Sequence, residues 1–299
     1  MFDPVVAPPE DAAVAGIVEA LGIPGIIDLH VHLLPARLQE RVWEQFDTAG
    51  PLIGRRWPIR YRWPVPALVE HLRSMRVLAF PTMPYAHRPG MAESLTAHSL
   101  GLAAQFPEVL ATLTFYPEPG VVDYVGRALV DGARVAKVHL QVGNFDPRLP
   151  VLDDVWGLLA EAGVPTVIHA GSGPVPGRFT GVGPISAVLD RHPRLPAVIA
   201  HLGAPETSEF LDLLERRPAT YLDTTMSFTA FMDRMRPVRS DEVARLRDLE
   251  ERVLFGSDLP SIPYPYAHAV ESLLGTGMGE DWLRAVLWGN ARRLLGADS

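Results

Sequence analysis

Eight short apolar runs punctuate the chain, at 25–32, 77–85, 109–116, 135–142, 166–170, 197–202, 220–225 and 252–258. Most are continuous rather than alternating. A strand covered on both faces reads that way, so the pattern predicts buried parallel strands. Amphipathic segments lie between them. They predict helices over 91–105, 124–131, 152–162, 185–191, 208–217, 240–249 and 281–295, with Gly163 and Gly296 as stop signals. Eight β/α repeats in about this length are the count of a (β/α)8 TIM barrel. An open doubly wound sheet would more often carry a Gly-rich phosphate loop after its first strand. Here the first run ends in His30-Val31-His32 instead.

The expectation is therefore an α/β fold forming one domain over 1–299, with its longest insertion after the first strand, at 33–72. That insertion carries Arg37, Arg41, Arg55, Arg56, Arg60 and Arg62 with Trp43, Trp57, Tyr61 and Trp63. Barrel active sites are built from the loops that follow the strands. A lid over an anionic or aromatic substrate is one reading. A surface excursion, or an oligomer contact made by Arg and Trp, is the other.

Composition narrows the partners. The 299 residues are 47% hydrophobic and 21% charged, enough for a sizeable core. A net charge of -8 argues against a nucleic-acid partner and fits work on a small molecule; an anionic one would be met by Lys137 or an insertion arginine. There is no cysteine, so any metal must take N and O ligands. The N-terminus lacks the basic and long apolar regions of a secretory signal. No apolar stretch reaches the roughly 18 residues of a membrane span, so cytoplasm is the default expectation. Homo-oligomerisation stays open.

The chemistry gathers at the ends of the runs. His30, His32, His169, His201 and Asp258 each stand where a buried strand should stop. Any one of them is more simply an ordinary residue with a satisfied hydrogen bond. The recurrence of the position points to a metal site at one rim. Residues i and i+2 of a strand share a face, so His30 and His32 can share one divalent ion. His169 and Asp258 can complete the set. Such a site suits zinc, with manganese, iron or cobalt as options. Asp258 can also take a proton from a metal-activated water. His201 can polarise a carbonyl, shuttle a proton or ligate a second metal. Asp28 shares a face with His30 and can orient it or be a satisfied buried carboxylate.

Lys137 and His139 should face the barrel interior. A buried Lys is costly unless paired. Lys137 can bind a substrate carboxylate, be carbamylated and bridge two metals, or form a structural ion pair. His139 is read as substrate-facing. His87, Arg88 and Asp223 carry less weight, Asp223 either near the site or capping a turn. The stretch from Gly171 to Pro174 would allow close backbone approach to a ligand. Trp282 and Trp288 are read as core.

Taken together, Asp28-Leu29-His30-Val31-His32, Lys137-Val138-His139, His169-Ala170-Gly171, His201-Leu202-Gly203, Phe255-Gly256-Ser257-Asp258 and Trp288-Gly289-Asn290-Ala291-Arg292-Arg293-Leu294-Leu295-Gly296 resemble the amidohydrolase superfamily. More narrowly they resemble the amidohydrolase-related group that includes aminocarboxymuconate semialdehyde decarboxylase. The resemblance spans 28–296. It implies a distorted TIM barrel with a divalent metal held by His30, His32, His169 and Asp258, and His201 as the catalytic histidine. It also implies one of two reactions. The first is hydrolysis of a small amide, ester or lactone. The second is non-oxidative decarboxylation of an unsaturated or aromatic acid. Two-metal relatives use a carbamylated Lys at the position of Lys137. Some decarboxylases of the group have Glu-x-His on the first strand, so His-x-His leans toward hydrolysis. A barrel that binds without catalysis is a third reading, weakened because all five positions are filled.

Overall fold

The computed structural model describes residues 2–296. Among these residues nine strands form: β1 (Ile26–Ile27), β2 (Val77–Pro81), β3 (Val109–Leu110), β4 (Thr112–Thr114), β5 (Val135–His139), β6 (Thr166–His169), β7 (Ala197–Ile199), β8 (Thr220–Asp223) and β9 (Val253–Leu254). All pairings are parallel, β1 to β3 in one ladder and β4 to β9 in another. The third apolar run accounts for both β3 and β4. It breaks at Ala111, whose carbonyl accepts from Arg134 N at 2.8 Å and Val135 N at 3.2 Å. The run thus changes partners there, from β2 to β5.

The other seam lies between the first and last strands. Leu29 N donates to Phe255 O at 2.9 Å, Asp258 N to His30 O at 2.8 Å, and His32 N to Leu259 O at 2.7 Å. Val31 and Leu259 form a parallel bridge. These bonds join the two edges into a ring, giving the TIM barrel the eight runs predict. The strands are shorter than the runs. The regular part of β1 stops at Ile27, and His30 and His32 follow it on looser backbone tied to the β9 side.

Alternation along the strands sorts two cores. Ala136, Val138, Ile168 and Ile199 pack outward with the helices, beside Trp156 and Phe210. Ile27, Leu29, Val135, Val167, Val198 and Leu254 form the inner plug. Two residues beyond Val135 and Val167 on the same face come Lys137 and His169. The apolar plug therefore floors a polar layer at the C-terminal rim.

Most predicted helices are present, among them Ala92–Gln105, Asp153–Ala162 and Thr207–Arg216. The one expected at 281–295 is not continuous. It runs Glu280–Arg284, then a π turn at Ala285–Gly289, then Asn290–Leu294. The π turn precedes Asn290, whose Nδ2 donates to Glu250 O at 2.6 Å and Val253 O at 2.7 Å and so braces β9. Trp282 is buried and Trp288 half-buried.

The insertion at 33–72 folds rather than loops. It forms helices Ala36–Thr48 and Gly50–Ile53 and enters Val65–Ser74. Trp43, Trp57, Tyr61 and Trp63 are all buried, so these aromatics are the insertion's own core and not a face offered to substrate. Trp57 Nε1 donates to Ser261 O at 2.6 Å, fastening the insertion to the loop after β9. No helix among the described residues is long and apolar enough to cross a membrane.

Candidate metal centre

The rim of the ring brings five of the sequence-predicted residues together. One ligand atom each from His30, His32 and Asp258 lies within 4.8 Å of the others. His32 Nε2 is 3.1 Å and His30 Nε2 3.7 Å from Asp258 Oδ1. The His201 ring centroid is 5.0 Å from that of His30 and 4.9 Å from that of His169. His169 stands outside the three-residue cluster. It stacks on His139 at 3.9 Å between ring centroids, because the two are register partners in the β5–β6 ladder.

The imidazoles are oriented from behind. His32 Nδ1 bonds Met83 O at 2.9 Å, and His30 Nδ1 bonds Asp223 Oδ2 at 2.9 Å. Both partners only accept, so both Nδ1 atoms carry hydrogen. In the neutral rings the Nε2 lone pairs then face the Asp258 carboxylate. Lone pairs and a carboxylate at these distances repel unless a positive species, a proton or a cation, lies between them. Burial and the nearby Lys137 push His30 down to about 3, keeping it neutral at ordinary pH. Burial acts to raise Asp258; the hydrogen bond with His32, and the positive charge a surrounding imidazole brings when it takes a proton, outweigh it and hold the carboxyl well below its usual range. His169 Nδ1 is buried without a partner. Two ring nitrogens converging on a largely buried carboxylate, with the orphaned His169 nitrogen nearby, fit a divalent cation with N and O preferences.

A family model for amidohydrolases matches residues 27–297. The chain belongs to the amidohydrolase family. It is therefore a metal-dependent enzyme of hydrolase or decarboxylase type. No protein of curated function matches it in sequence. Solved structures do match in fold. An uncharacterised TIM-barrel protein of Bordetella bronchiseptica is 20% identical, with 91% of this chain and 98% of that one covered at a TM-score of 0.74. A probable 2-pyrone-4,6-dicarboxylic acid hydrolase of Acinetobacter baumannii, solved with citric acid, is 14% identical over 91% and 99% at 0.61. A mutant 5-carboxyvanillate decarboxylase of Novosphingobium aromaticivorans, with bound manganese and 3-methoxy-4-hydroxy-5-nitrobenzoic acid, is 11% identical over 91% and 97% at 0.62.

Around the cluster, the amidohydrolase places further polar groups. Lys137 is fully buried, with Nζ 3.5 Å from His30 Nε2. Burial lowers it to about 8, against the pull of Asp223 and Asp258. His139 is half-buried, and its Nδ1 accepts from Val142 N at 3.3 Å. His201 and Asp258 both hold left-handed backbone, φ 57° and 72°, which bulky residues adopt only when neighbours enforce it.

Two carboxylates divide the work expected of Asp28. Asp28 Oδ1 accepts from His30 N at 3.0 Å and Ser257 N at 3.1 Å, so it ties backbones and not the His30 ring. Its Oδ2 has no partner, and burial lifts the carboxyl to about 7. Asp223 holds the ring. Its signal in the sequence is the one shared with Asp258, a carboxylate ending an apolar run. Tyr85 was not singled out by pattern. Its ring meets His32 at 5.8 Å and His139 at 5.2 Å, and its place at the end of the second run is the clue. Gly171 serves the loop after β7: a Cβ there would come within 2.8 Å of Gly203 carbonyl atoms. His87 and Arg88 lie exposed on the loop after β2.

Proposed function

We propose that this amidohydrolase hydrolyses a small amide, ester or lactone, using water activated at a single divalent ion. The observation that carries the reading is the convergence of two Nε2 lone pairs on the Asp258 carboxylate. His30, His32, His169 and Asp258 would hold the ion, zinc in our reading because every donor is imidazole or carboxylate. The bound ion would supply Lewis-acid polarisation of a substrate oxygen and of water.

The chain's own residues supply the remaining chemistry. Asp258, its carboxyl held well below the usual range, accepts the proton of the attacking water and returns it to the leaving nitrogen or oxygen. His201 donates a hydrogen bond to the oxyanion that develops. His139, stacked on His169 and half-buried, borders the substrate. Lys137 lies beneath, a cation balancing Asp223 and Asp258. The insertion at 33–72, stapled to the loop after β9, acts as a fixed wall of the entrance. We take 1–299 as one catalytic domain.

Metal content by elemental analysis comes first, then a panel of amides, esters and lactones beside aromatic and unsaturated carboxylic acids. Uptake of isotope from labelled water into product supports hydrolysis. Release of carbon dioxide without water uptake replaces it with decarboxylation. A protein that binds no divalent metal under any loading condition rejects both.

A further inference from the structure

We infer that Asp223 is a positioning residue: one oxygen selects the His30 tautomer that leaves Nε2 free for a cation, and the other fixes where His201 stands. The inference rests on the metal-centre reading above. Asp223 ends β8, is fully buried, and spans to both neighbouring parts of the rim. Its Oδ2 meets His30 Nδ1 at 2.9 Å, while Oδ1 accepts from His201 N at 2.8 Å and Thr225 N at 3.1 Å.

A carboxylate can only accept, so His30 Nδ1 must donate. The ring's other neighbour agrees. Lys137 Nζ, 3.5 Å from Nε2, is a donor with no acceptor capacity while charged. The second oxygen acts on backbone. His201 and Leu202 are consecutive left-handed residues, φ 57° and 52°. Such residues are strained and persist only where surroundings hold them. The bond to His201 N is such a hold. A single side chain therefore couples a metal ligand to the residue proposed to face the oxyanion.

Asp223→Asn separates the two tasks. The Asn oxygen keeps the two backbone donors, His201 N and Thr225 N. Its amide group then faces His30 Nδ1 and can only donate. His30 must turn acceptor at Nδ1, and its proton moves to Nε2, pointing into the site. The test measures zinc affinity by competition with a chromophoric chelator, and the His30 tautomer by nitrogen NMR of the histidine-labelled, metal-free protein. A His30→Gln sample assigns the resonance. We expect wild type with hydrogen on Nδ1, and Asp223→Asn with hydrogen on Nε2 and zinc bound about 10- to 100-fold more weakly. Wild type with hydrogen on Nε2 overturns the inference without need of any variant. So does Asp223→Asn with wild-type tautomer and affinity. Zinc binding absent from wild type removes the metal-centre reading, while the metal-free tautomers still decide the role of Asp223.

Discussion

His32 Nε2 stands 3.1 Å from Asp258 Oδ1, and the two residues reach that contact from opposite sides of the seam that closes the barrel. The bonds that join β1 to β9, Asp258 N to His30 O and His32 N to Leu259 O, are made by the proposed ligand segments themselves. Closing the ring and building the site are one event. An unfolded chain has no such cluster, so a metal bound here stabilises the fold. At a hundredfold excess over Kd the gain is about 2.7 kcal/mol, on the order of 5 °C in Tm for a chain of this size. Chelation should lower Tm by about that much. Asp258→Ala should bind metal poorly and lose the chelator effect. Melting curves with and without chelator check this, and equal chelator shifts in both proteins would place the metal elsewhere.

At Gly256 the seam leaves no room for a side chain. A Cβ there would fall 2.7 Å from His30 Cβ and press on Thr225 Oγ1. Thr225 is tied to Asp223, and His30 is a proposed ligand, so neither can move freely. Gly256→Ala should cost about 1–3 kcal/mol by overpacking. It should also weaken metal binding more than its effect on Tm alone would suggest. Urea melts and a zinc titration on the same preparation read both quantities. A stable variant with unchanged zinc affinity would mean that β1 and β9 can part without harm.

The residues that end strands were legible because geometry leaves them little choice. Eight apolar runs in parallel must present their ends at one rim, so His30, His32, His169, His201 and Asp258 met there. What sits behind them was less legible. Asp28 and Asp223 are both carboxylates near run ends, and pattern alone does not say which one reaches a ring. The answer depends on barrel closure: Asp28 turns to Ser257 across the seam, and Asp223 turns to His30. The break of the third run at Ala111 and the π turn before Asn290 likewise follow from pairing, not from local propensity. The insertion's aromatics look like a binding face in sequence because Trp and Tyr serve interfaces and cores alike. Their burial settles which use applies here.

Tyr61 shows what those aromatics do. Its hydroxyl donates to Asp11 Oδ2 at 2.6 Å and accepts from Tyr266 N at 2.6 Å. Asp11 also takes His71 Nε2 at 2.8 Å and Ala267 N at 2.8 Å. One phenol thus links the N-terminal segment, the insertion and the helix Tyr266–Leu274. Tyr61→Phe keeps the packing and strands a buried donor and part of a buried carboxylate. Each stranded group costs about 1–3 kcal/mol, so a loss of roughly 2–4 kcal/mol is expected. Chemical denaturation measures it. A loss under about 0.5 kcal/mol, the usual range for a surface change, would show that water replaces the hydroxyl.

Acid sensitivity has a source far from the metal centre, at Glu242. The side chain is fully buried and takes Arg236 on both oxygens, at 2.6 Å and 2.8 Å, with Ser208 Oγ at 2.7 Å and Arg239 N at 2.9 Å. Burial by itself would raise the carboxyl. The Arg236 fork, the Arg239 backbone and Ser208 outweigh it and bring it from 4.5 to about 2. The folded value is depressed, so the unfolded chain takes up the proton first as pH falls. The stabilisation is complete above about pH 4.5 and is lost as pH drops through about 2. Its size is on the order of 3 kcal/mol. Glu242→Gln should therefore be less stable near neutral pH by about 2–3 kcal/mol, with Arg236 left short of a partner. The gap to wild type should narrow through that window and close near its lower end. Taking the difference between the two proteins cancels the other carboxylates, which titrate in both. Urea unfolding at a series of pH values gives the curves. Curves that stay parallel through the window would show that Glu242 contributes packing and not charge.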